Sequence, residues 1–328
     1  MGTVLMLSRV ADSLFWMGRY LERAEHTARL IDVNLKQMLD ETPEVAERRW
    51  DRVLSCLRTE VGPRHDREAW AVAGTLMFDR AHHDSIAFCV AAARENVRQV
   101  REQVTSEIWE QINSLHLYVR EACDEPARRR VPHQFLREVI LGCQQVHGVI
   151  AGILLRGEGW RFIQIGRSLE RGCAVTALLS EHAGDIARGV LEGNGQFLSW
   201  AGLLRSCTAF EAYCKSYTAD IRPDKVLEFL FLSPQFPRSI LYSAQKLQEA
   251  LEAIGADPAR SESARPERLA GKLAARLGYI ALDEVRPQDY ATLLQETEKE
   301  LLDLNSAIHH AWIDYPTPTV SDAVMAMQ

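Results

Sequence analysis

An apolar stripe with helical spacing dominates the N-terminal part of the chain. From Leu14 to Met38, apolar or small residues follow one another in unbroken steps of three and four, the spacing of one face of an α-helix. The alternation typical of strands is almost absent elsewhere. The sequence therefore predicts an all-α protein, a multi-helix bundle of long antiparallel helices. Beyond the first helix, others are predicted at about 45–60, 66–79, 84–122, 132–155, 160–182, 196–219, 223–232, 238–254, 266–278 and 287–313.

A repeated hexamer divides this helical chain. Gly18-Arg19-Tyr20-Leu21-Glu22-Arg23 recurs 148 residues later as Gly166-Arg167-Ser168-Leu169-Glu170-Arg171, in the same phase of the apolar stripe. We interpret residues 6–313 as one helical domain with repeat halves 6–155 and 156–313, followed by a Pro-containing tail at 314–328. Two helices that share one pairing geometry would also explain the repeat. A glycine inside each helix indicates that a backbone or a ligand approaches closely.

Composition narrows the class of protein. The 328 residues are 47% hydrophobic and carry a formal charge of −7, which excludes a disordered chain and argues against a nucleic-acid partner. No apolar run reaches the ~18 residues of a membrane span, so no membrane partner is expected. The seven cysteines form no Cys-x-x-Cys pair and mostly lie in apolar helical stretches. This pattern predicts buried free thiols, and without an apparent signal peptide it predicts a cytoplasmic protein.

Each hexamer places a glutamate beside arginines. Glu22 can pair within its helix with Arg19 or His26, which lie three and four residues away. A glutamate that fixes guanidinium planes prepares them to bind a carboxylate or phosphate. A solvated charged face and buried pairing that fixes helix register remain open as alternatives. The candidate binding residues for an anionic ligand or partner are Arg19, Glu22, Arg23, Arg94, Glu95, Arg167, Glu170, Arg171, Arg222 and Arg238.

Motifs of known chemistry are missing from the sequence. It has no phosphate-binding loop, no dinucleotide fingerprint and no nucleophile elbow, so no cofactor is predicted and no catalytic residue is assigned. The adjacent histidines of His82-His83 and His309-His310 point about 100° apart on a helix and chelate poorly. Glu22, Glu25 and His26 lack the Glu-x-x-His spacing of a di-iron bundle. The sequence thus predicts no metal site and leaves enzymatic activity undecided.

Five segments of the chain together resemble the bacterial alpha-E family, which is named for its helical character and its Glu-Arg motif. The resemblance extends from about Met6 to Ile313 and departs from the family at His26, where asparagine is more usual. The matching segments are 6–25 (MLSRVADSLFWMGRYLERAE), Arg94-Glu95-Asn96, Leu169-Glu170-Arg171, Val226-Leu227-Glu228-Phe229-Leu230 and Phe236-Pro237-Arg238-Ser239.

The resemblance implies which proteins the chain works with, but it does not imply a specific reaction. Alpha-E proteins are typically encoded beside, or fused to, circularly permuted ATP-grasp proteins, and transglutaminase-like proteins often lie nearby. This implies an accessory or substrate-holding subunit of a system that forms or modifies peptide or amide bonds, with an ATP-grasp partner and a peptide or amino-acid ligand. Two alternatives stay open: a peptide-modifying enzyme with Glu22, Glu95 or Glu170 as general base, or a purely structural scaffold. The sequence leaves open whether the chain forms a homo-oligomer and whether both Glu-Arg helices face one cleft.

Overall fold

A computed structural model describes residues 6–38, 43–61, 68–125, 131–188, 194–218, 220–256 and 264–313. Within them the chain forms thirteen α-helices and no strand, which confirms the all-α bundle. The helices of the first half are α1 (Ser8–Gln37), α2 (Pro43–Leu57), α3 (Ala69–Phe78), α4 (Ile86–Gln99), α5 (Ser106–Asp124) and α6 (Pro132–Ile153). Those of the second half are α7 (Glu158–Arg188), α8 (Asn194–Ser206), α9 (Phe210–Tyr217), α10 (Pro223–Leu232), α11 (Ile240–Gly255), α12 (Ala264–Gly278) and α13 (Tyr290–Ile308), which continues as a π-helical turn to Ile313. The predicted tail lies outside the described residues.

Two predicted helices are each broken in two. The helix predicted at 84–122 is interrupted by a short 3-10 turn at Arg101–Gln103, after which the Thr105 hydroxyl accepts a hydrogen bond from the Ile108 amide. The helix predicted at 196–219 ends at Ser206 and restarts at Phe210, with Thr208 at a φ of 54° between them. Side-chain capping and one left-handed residue thus override a continuous apolar pattern.

Helices α1 and α7 run side by side in the same direction through the centre of the molecule. They touch at the repeated glycines: a Cβ on Gly18 would lie 2.4 Å from the Ile163 carbonyl oxygen, and one on Gly166 would lie 2.1 Å from the Phe15 carbonyl oxygen. Both distances are far below a van der Waals contact. The glycines therefore admit a neighbouring backbone, which confirms the close approach predicted from their place inside helices.

Three helices of each half pack beside one member of this pair in the same order. In the first half, α1 packs against α4 and α6, and α5 packs against both of those. In the second half, α7 packs against α11 and α13, and α12 packs against both. Because α1 also contacts α7, α2 and α8, residues almost all round its surface are buried. Charged side chains at the α1–α7 contact are consequently removed from water.

The cysteines lie within this packing as free thiols. Five are buried and two are half-buried, and none forms a disulfide, as the sequence predicts. Burial raises the pKa of the Cys207 thiol to about 12 and that of Cys173 to about 11, so both are protonated and unreactive near neutral pH. Among the described residues, no helix combines the length and the apolar character that crossing a bilayer requires.

Candidate functional site

The first charged cluster surrounds the glutamate of the second hexamer. The Glu170 carboxylate accepts hydrogen bonds from Arg19 Nε and Arg23 Nε, each at 2.6 Å. Arg23 also donates to Asp84 Oδ1 at 2.9 Å. Burial opposes the charge on Glu170, but Arg19 and Arg23 outweigh it and hold the pKa of this carboxyl below its usual range. We call Arg19, Arg23, Asp84 and Glu170 the Glu170 cluster.

The second cluster surrounds the glutamate of the first hexamer. Glu22 is 1% exposed, and Arg171 binds its carboxylate in a two-pronged contact at 2.9 and 2.6 Å. Arg238 bridges the two acids, donating to Glu22 Oε1 at 2.8 Å and to Glu25 Oε1 at 2.7 Å. Burial opposes ionisation, yet Arg171 and Arg238 keep the pKa of Glu22 well below its usual range. With Arg29, His147 and Arg167, these residues form the Glu22 cluster.

These contacts join two helices and correct the pairing expected within one. The sequence suggests that Glu22 pairs with Arg19 or His26. In the structure, Glu22 instead binds arginines of α7 and of the loop before α11. Glu170 binds two arginines of α1. The exchange is reciprocal, because each hexamer supplies the glutamate of one cluster and arginines of the other. Arg23 and Arg171 line two different cavities, so the last arginines of the two hexamers do not face one cleft.

The two clusters differ in net charge because of the residue that precedes an N-capping serine in each half. Ser85 and Ser239 cap α4 and α11 by accepting hydrogen bonds from the amides of Phe88 and Tyr242. The preceding residue is Asp84 in the first half, where it meets Arg23, and Arg238 in the second half, where it meets Glu22. The Glu170 cluster thus balances two arginines with two acids. The Glu22 cluster instead sets four arginines against two acids, an excess of two positive charges.

A cavity opens on the positively charged cluster. Its volume is about 240 Å³, and Glu25, Arg29, His147, Arg167 and Arg238 contribute to its wall. Arg167 is the least compensated of the arginines, because its one hydrogen bond reaches Glu22 Oε2 at 3.4 Å. Burial and the neighbouring Arg171 lower the pKa of Arg167, although a guanidinium remains charged at neutral pH. Guanidinium groups with unused donors are suited to binding carboxylate or phosphate.

The other predicted site residues lie outside both clusters. Arg94 donates to Asn113 on α5 at 2.8 Å and stacks on Trp109. Glu95 forms an exposed pair with Arg98. Arg222 forms an exposed pair with Asp224 at the start of α10. Arg94, Glu95 and Arg222 thus make contacts typical of a helix surface. Of the predicted site residues outside the two hexamers, only Arg238 belongs to the Glu22 cluster.

Sequence reasoning missed Glu25, Arg29 and His147. Glu25 follows Glu22 by three residues and therefore shares its helix face, and Arg29 pairs with Glu25 four residues further on, at 2.7 Å. His147 had one signal, since it stands on the buried face of α6 beside Val146 and Cys143. Burial and the nearby Arg167 hold the pKa of His147 well below its usual value, so its imidazole is neutral.

Glu22, Glu25 and His147 also offer a possible ligand set, with one atom of each lying within 4.8 Å of the others. Two carboxylates and an imidazole are donors that transition metals accept. Here both Glu22 oxygens already accept from arginines, and Glu25 Oε1 does as well. A bare divalent cation would add charge to a cluster that is already positive.

Comparison with known proteins agrees with the Glu-Arg geometry. The Alpha-E family model, described as a predicted α-helical domain with a conserved ER motif, matches residues 6–313. Similar curated proteins include an uncharacterised protein of Mycobacterium bovis and two of Mycobacterium tuberculosis, each 26% identical over 340 residues. The alignments cover 98% of this chain but 37% of those longer relatives. No solved structure matches.

Proposed function

Because the chain belongs to the Alpha-E family, we propose that it is an accessory, substrate-holding subunit of a system that forms or modifies peptide or amide bonds. Its partner is a circularly permuted ATP-grasp protein of the cytoplasm, the association that the family resemblance implies. Its ligand is an anionic peptide or amino acid held in the cavity of the Glu22 cluster. The observation that carries the ligand part is the excess of two positive charges around that cavity.

The geometry favours holding a ligand over catalysis by the glutamates. A general base works best with a pKa near the operating pH, whereas arginines hold the pKa values of Glu22 and Glu170 below their usual range. Every oxygen of Glu22 already accepts hydrogen bonds. The third candidate base, Glu95, is exposed and paired with Arg98. These contacts support a role in positioning arginines.

The relatives are longer than this chain, which supports a function carried out together with a partner. The chain spans 37% of each mycobacterial relative, so in those proteins the corresponding segment is joined to a larger body of chain. A helical unit without recognised nucleotide-binding motifs fits a supporting part in such an assembly. The ATP chemistry would then belong to the ATP-grasp component.

The test is to co-purify the chain with the ATP-grasp protein encoded beside it and to measure ATP turnover of each alone and of both. We expect a stable complex whose turnover rises when amino acids are added. Arg167→Gln should reduce this stimulation, because it removes an arginine of the cavity at the cost of one long hydrogen bond. Arg222→Gln is the matched control, since Arg222 forms an exposed pair outside the cluster and should leave turnover unchanged.

Three results would contradict the proposal in different ways. Absence of a complex would contradict the proposed ATP-grasp partner. A complex in which both variants behave like the wild type removes the ligand pocket and favours a structural scaffold, in which the Glu-Arg pairs fix the helices in register. Turnover of peptides by the isolated chain makes the chain an enzyme in its own right.

A further inference from the structure

Two hydrogen-bond acceptors of the Glu22 cluster, one on Glu25 and one on His147, lie close together beside Glu22. His147 Nε2 lies 3.9 Å from Glu22 Oε2 and 3.9 Å from Glu25 Oε2. His147 is 7% exposed, and its Nε2 has no hydrogen-bond partner among the described residues. Glu25 Oε2 likewise accepts no hydrogen bond within this part of the chain, because Arg29 and Arg238 both donate to Oε1. A buried ring nitrogen such as His147 Nε2 normally has a partner.

Because an ionised carboxylate only accepts hydrogen bonds, a partner of Glu25 Oε2 must be a donor, and its charge must suit the surroundings. The imidazole is neutral, so Nε2 accepts when the other ring nitrogen carries the proton. A metal ion would bring two positive charges into a cluster with an excess of two. An ammonium group brings one, and it carries compensating negative charge when it belongs to an amino acid. The acceptors therefore favour the amino group of a zwitterion.

Unused donors lie around the same cavity. Arg167 uses only Nε in its contact with Glu22, and Arg29 uses Nε and Nη2 in its contact with Glu25. Hydrogen-bond donors thus remain on two separate guanidinium groups lining the cavity. Each can bind a carboxylate. A ligand with two carboxylates and one amino group matches both arginines and the acceptors of Glu25 and His147.

We propose that the Glu22 cluster binds an acidic α-amino acid, with its ammonium group on Glu25 and His147 and its carboxylates on Arg29 and Arg167. This inference rests on the proposed function and gives its ligand a chemical class. A free acidic amino acid offers the ammonium group and both carboxylates, whereas the N-terminal acidic residue of a peptide offers the ammonium group and one carboxylate. A volume of about 240 Å³ has room for a small molecule or one residue.

Isothermal titration of the purified chain with L-glutamate, L-aspartate and glutarate tests the inference. Glutarate keeps both carboxylates and lacks the amino group. A hydrogen bond to a charged group is worth about 1.5–3 kcal/mol, so at least one of the amino acids should bind about tenfold or more tightly than glutarate. L-Glutamine, which lacks the second carboxylate, should also bind more weakly than L-glutamate. The dipeptides Glu-Ala and Ala-Glu separate the two sources, because only the first presents an acidic residue with a free amino group.

Variants assign the contacts. Glu25→Gln should bring the affinities for L-glutamate and glutarate together, whereas Arg167→Gln should weaken both ligands by a similar factor. If Glu25→Gln does not fold, the comparison of the two ligands on the wild-type chain still decides. Equal binding of L-glutamate and glutarate would overturn the ammonium site and leave the anion pocket of the proposed function intact.

Two further outcomes overturn the inference. Stoichiometric binding of Mn²⁺ or Zn²⁺ without an amino acid, lost in His147→Gln, would make Glu22, Glu25 and His147 a metal site. Failure of every carboxylate to bind, while the chain still forms a complex with the ATP-grasp protein, would remove the ligand and retain the partner. Failure of complex formation alone would remove the proposed partner without affecting the titrations.

Discussion

Replacing Gly166 by alanine tests the contact on which both clusters depend. A Cβ at this position would lie 2.1 Å from the Phe15 carbonyl oxygen and 3.0 Å from its carbonyl carbon. Both atoms belong to the backbone of α1, so no side-chain rotation relieves the overlap. An ordinary van der Waals contact begins near 3.4 Å, and the two helices must therefore move apart by about 1 Å where they touch.

The free-energy cost follows from three effects. Alanine is favoured over glycine inside a helix by about 1 kcal/mol. Overpacking a well-packed contact costs about 1–3 kcal/mol, and rigid backbone atoms place this case at the upper end. Separation also stretches the 2.6 Å hydrogen bonds of the Glu170 cluster, and breaking a buried ion pair outright costs about 3–5 kcal/mol. We expect Gly166→Ala to lower the free energy of unfolding by about 2–4 kcal/mol.

Denaturation with urea, followed by circular dichroism, measures this loss. Gly148→Ala is the matched control, because Gly148 also lies inside a helix but a Cβ there would meet nothing within 4 Å. The control should gain up to about 1 kcal/mol. Gly18→Ala should behave like Gly166→Ala, since its Cβ would lie 2.4 Å from the Ile163 carbonyl oxygen. Equal stability of Gly166→Ala and Gly148→Ala would refute the backbone contact.

Two other predictions concern charge and pH. Glu170→Gln should destabilise the fold by about 3–5 kcal/mol, because Arg19 and Arg23 lose a buried counter-charge. In the same urea assay Glu95→Gln, at an exposed pair, should lower the free energy of unfolding by less than about 1 kcal/mol. Equal losses in the two variants would contradict the burial argument. Burial and Arg238 lower the pKa of His26 to about 4, so from pH 6.5 down to 4 the unfolded chain takes up a proton that the folded chain refuses. This histidine should remove about 1.4 kcal/mol of stability per pH unit in that window, and His147 acts in the same direction. Unfolding measured between pH 7.5 and 5 should therefore depend less steeply on pH in His26→Asn than in the wild type, and identical slopes would show that His26 is not protected from protonation.

The sequence alone predicts the main features of the fold. The unbroken stripe from Leu14 gives the long first helix, and the helix predicted at 223–232 has the bounds observed for α10. The matching phase of the two hexamers indicates that the Glu-Arg helices are used alike. The glycine inside each predicts the close approach of a backbone or a ligand, because no other residue type leaves that space.

Partners across helices could not be predicted in the same way. Spacing along one helix favours Arg19–Glu22 pairing, but the packing of α1 on α7 places the Glu22 carboxylate against Arg171 instead. His147 comes from α6, more than a hundred residues from Glu22 in the chain, and no local pattern links them. Such contacts depend on which faces meet, and this is decided by tertiary packing.

The repeat also conceals a difference on which the proposed ligand depends. The hexamers are nearly identical, so their arginines and glutamates alone would build two equivalent clusters. One position outside the hexamers breaks the equivalence, because the residue before the serine cap is Asp84 in one half and Arg238 in the other. The acid neutralises its cluster, whereas the arginine, together with Arg29, leaves the Glu22 cluster positively charged. The repeated hexamers therefore account for the shared framework of crossed glycines and exchanged ion pairs, and the capping loops determine which of the two clusters carries excess positive charge.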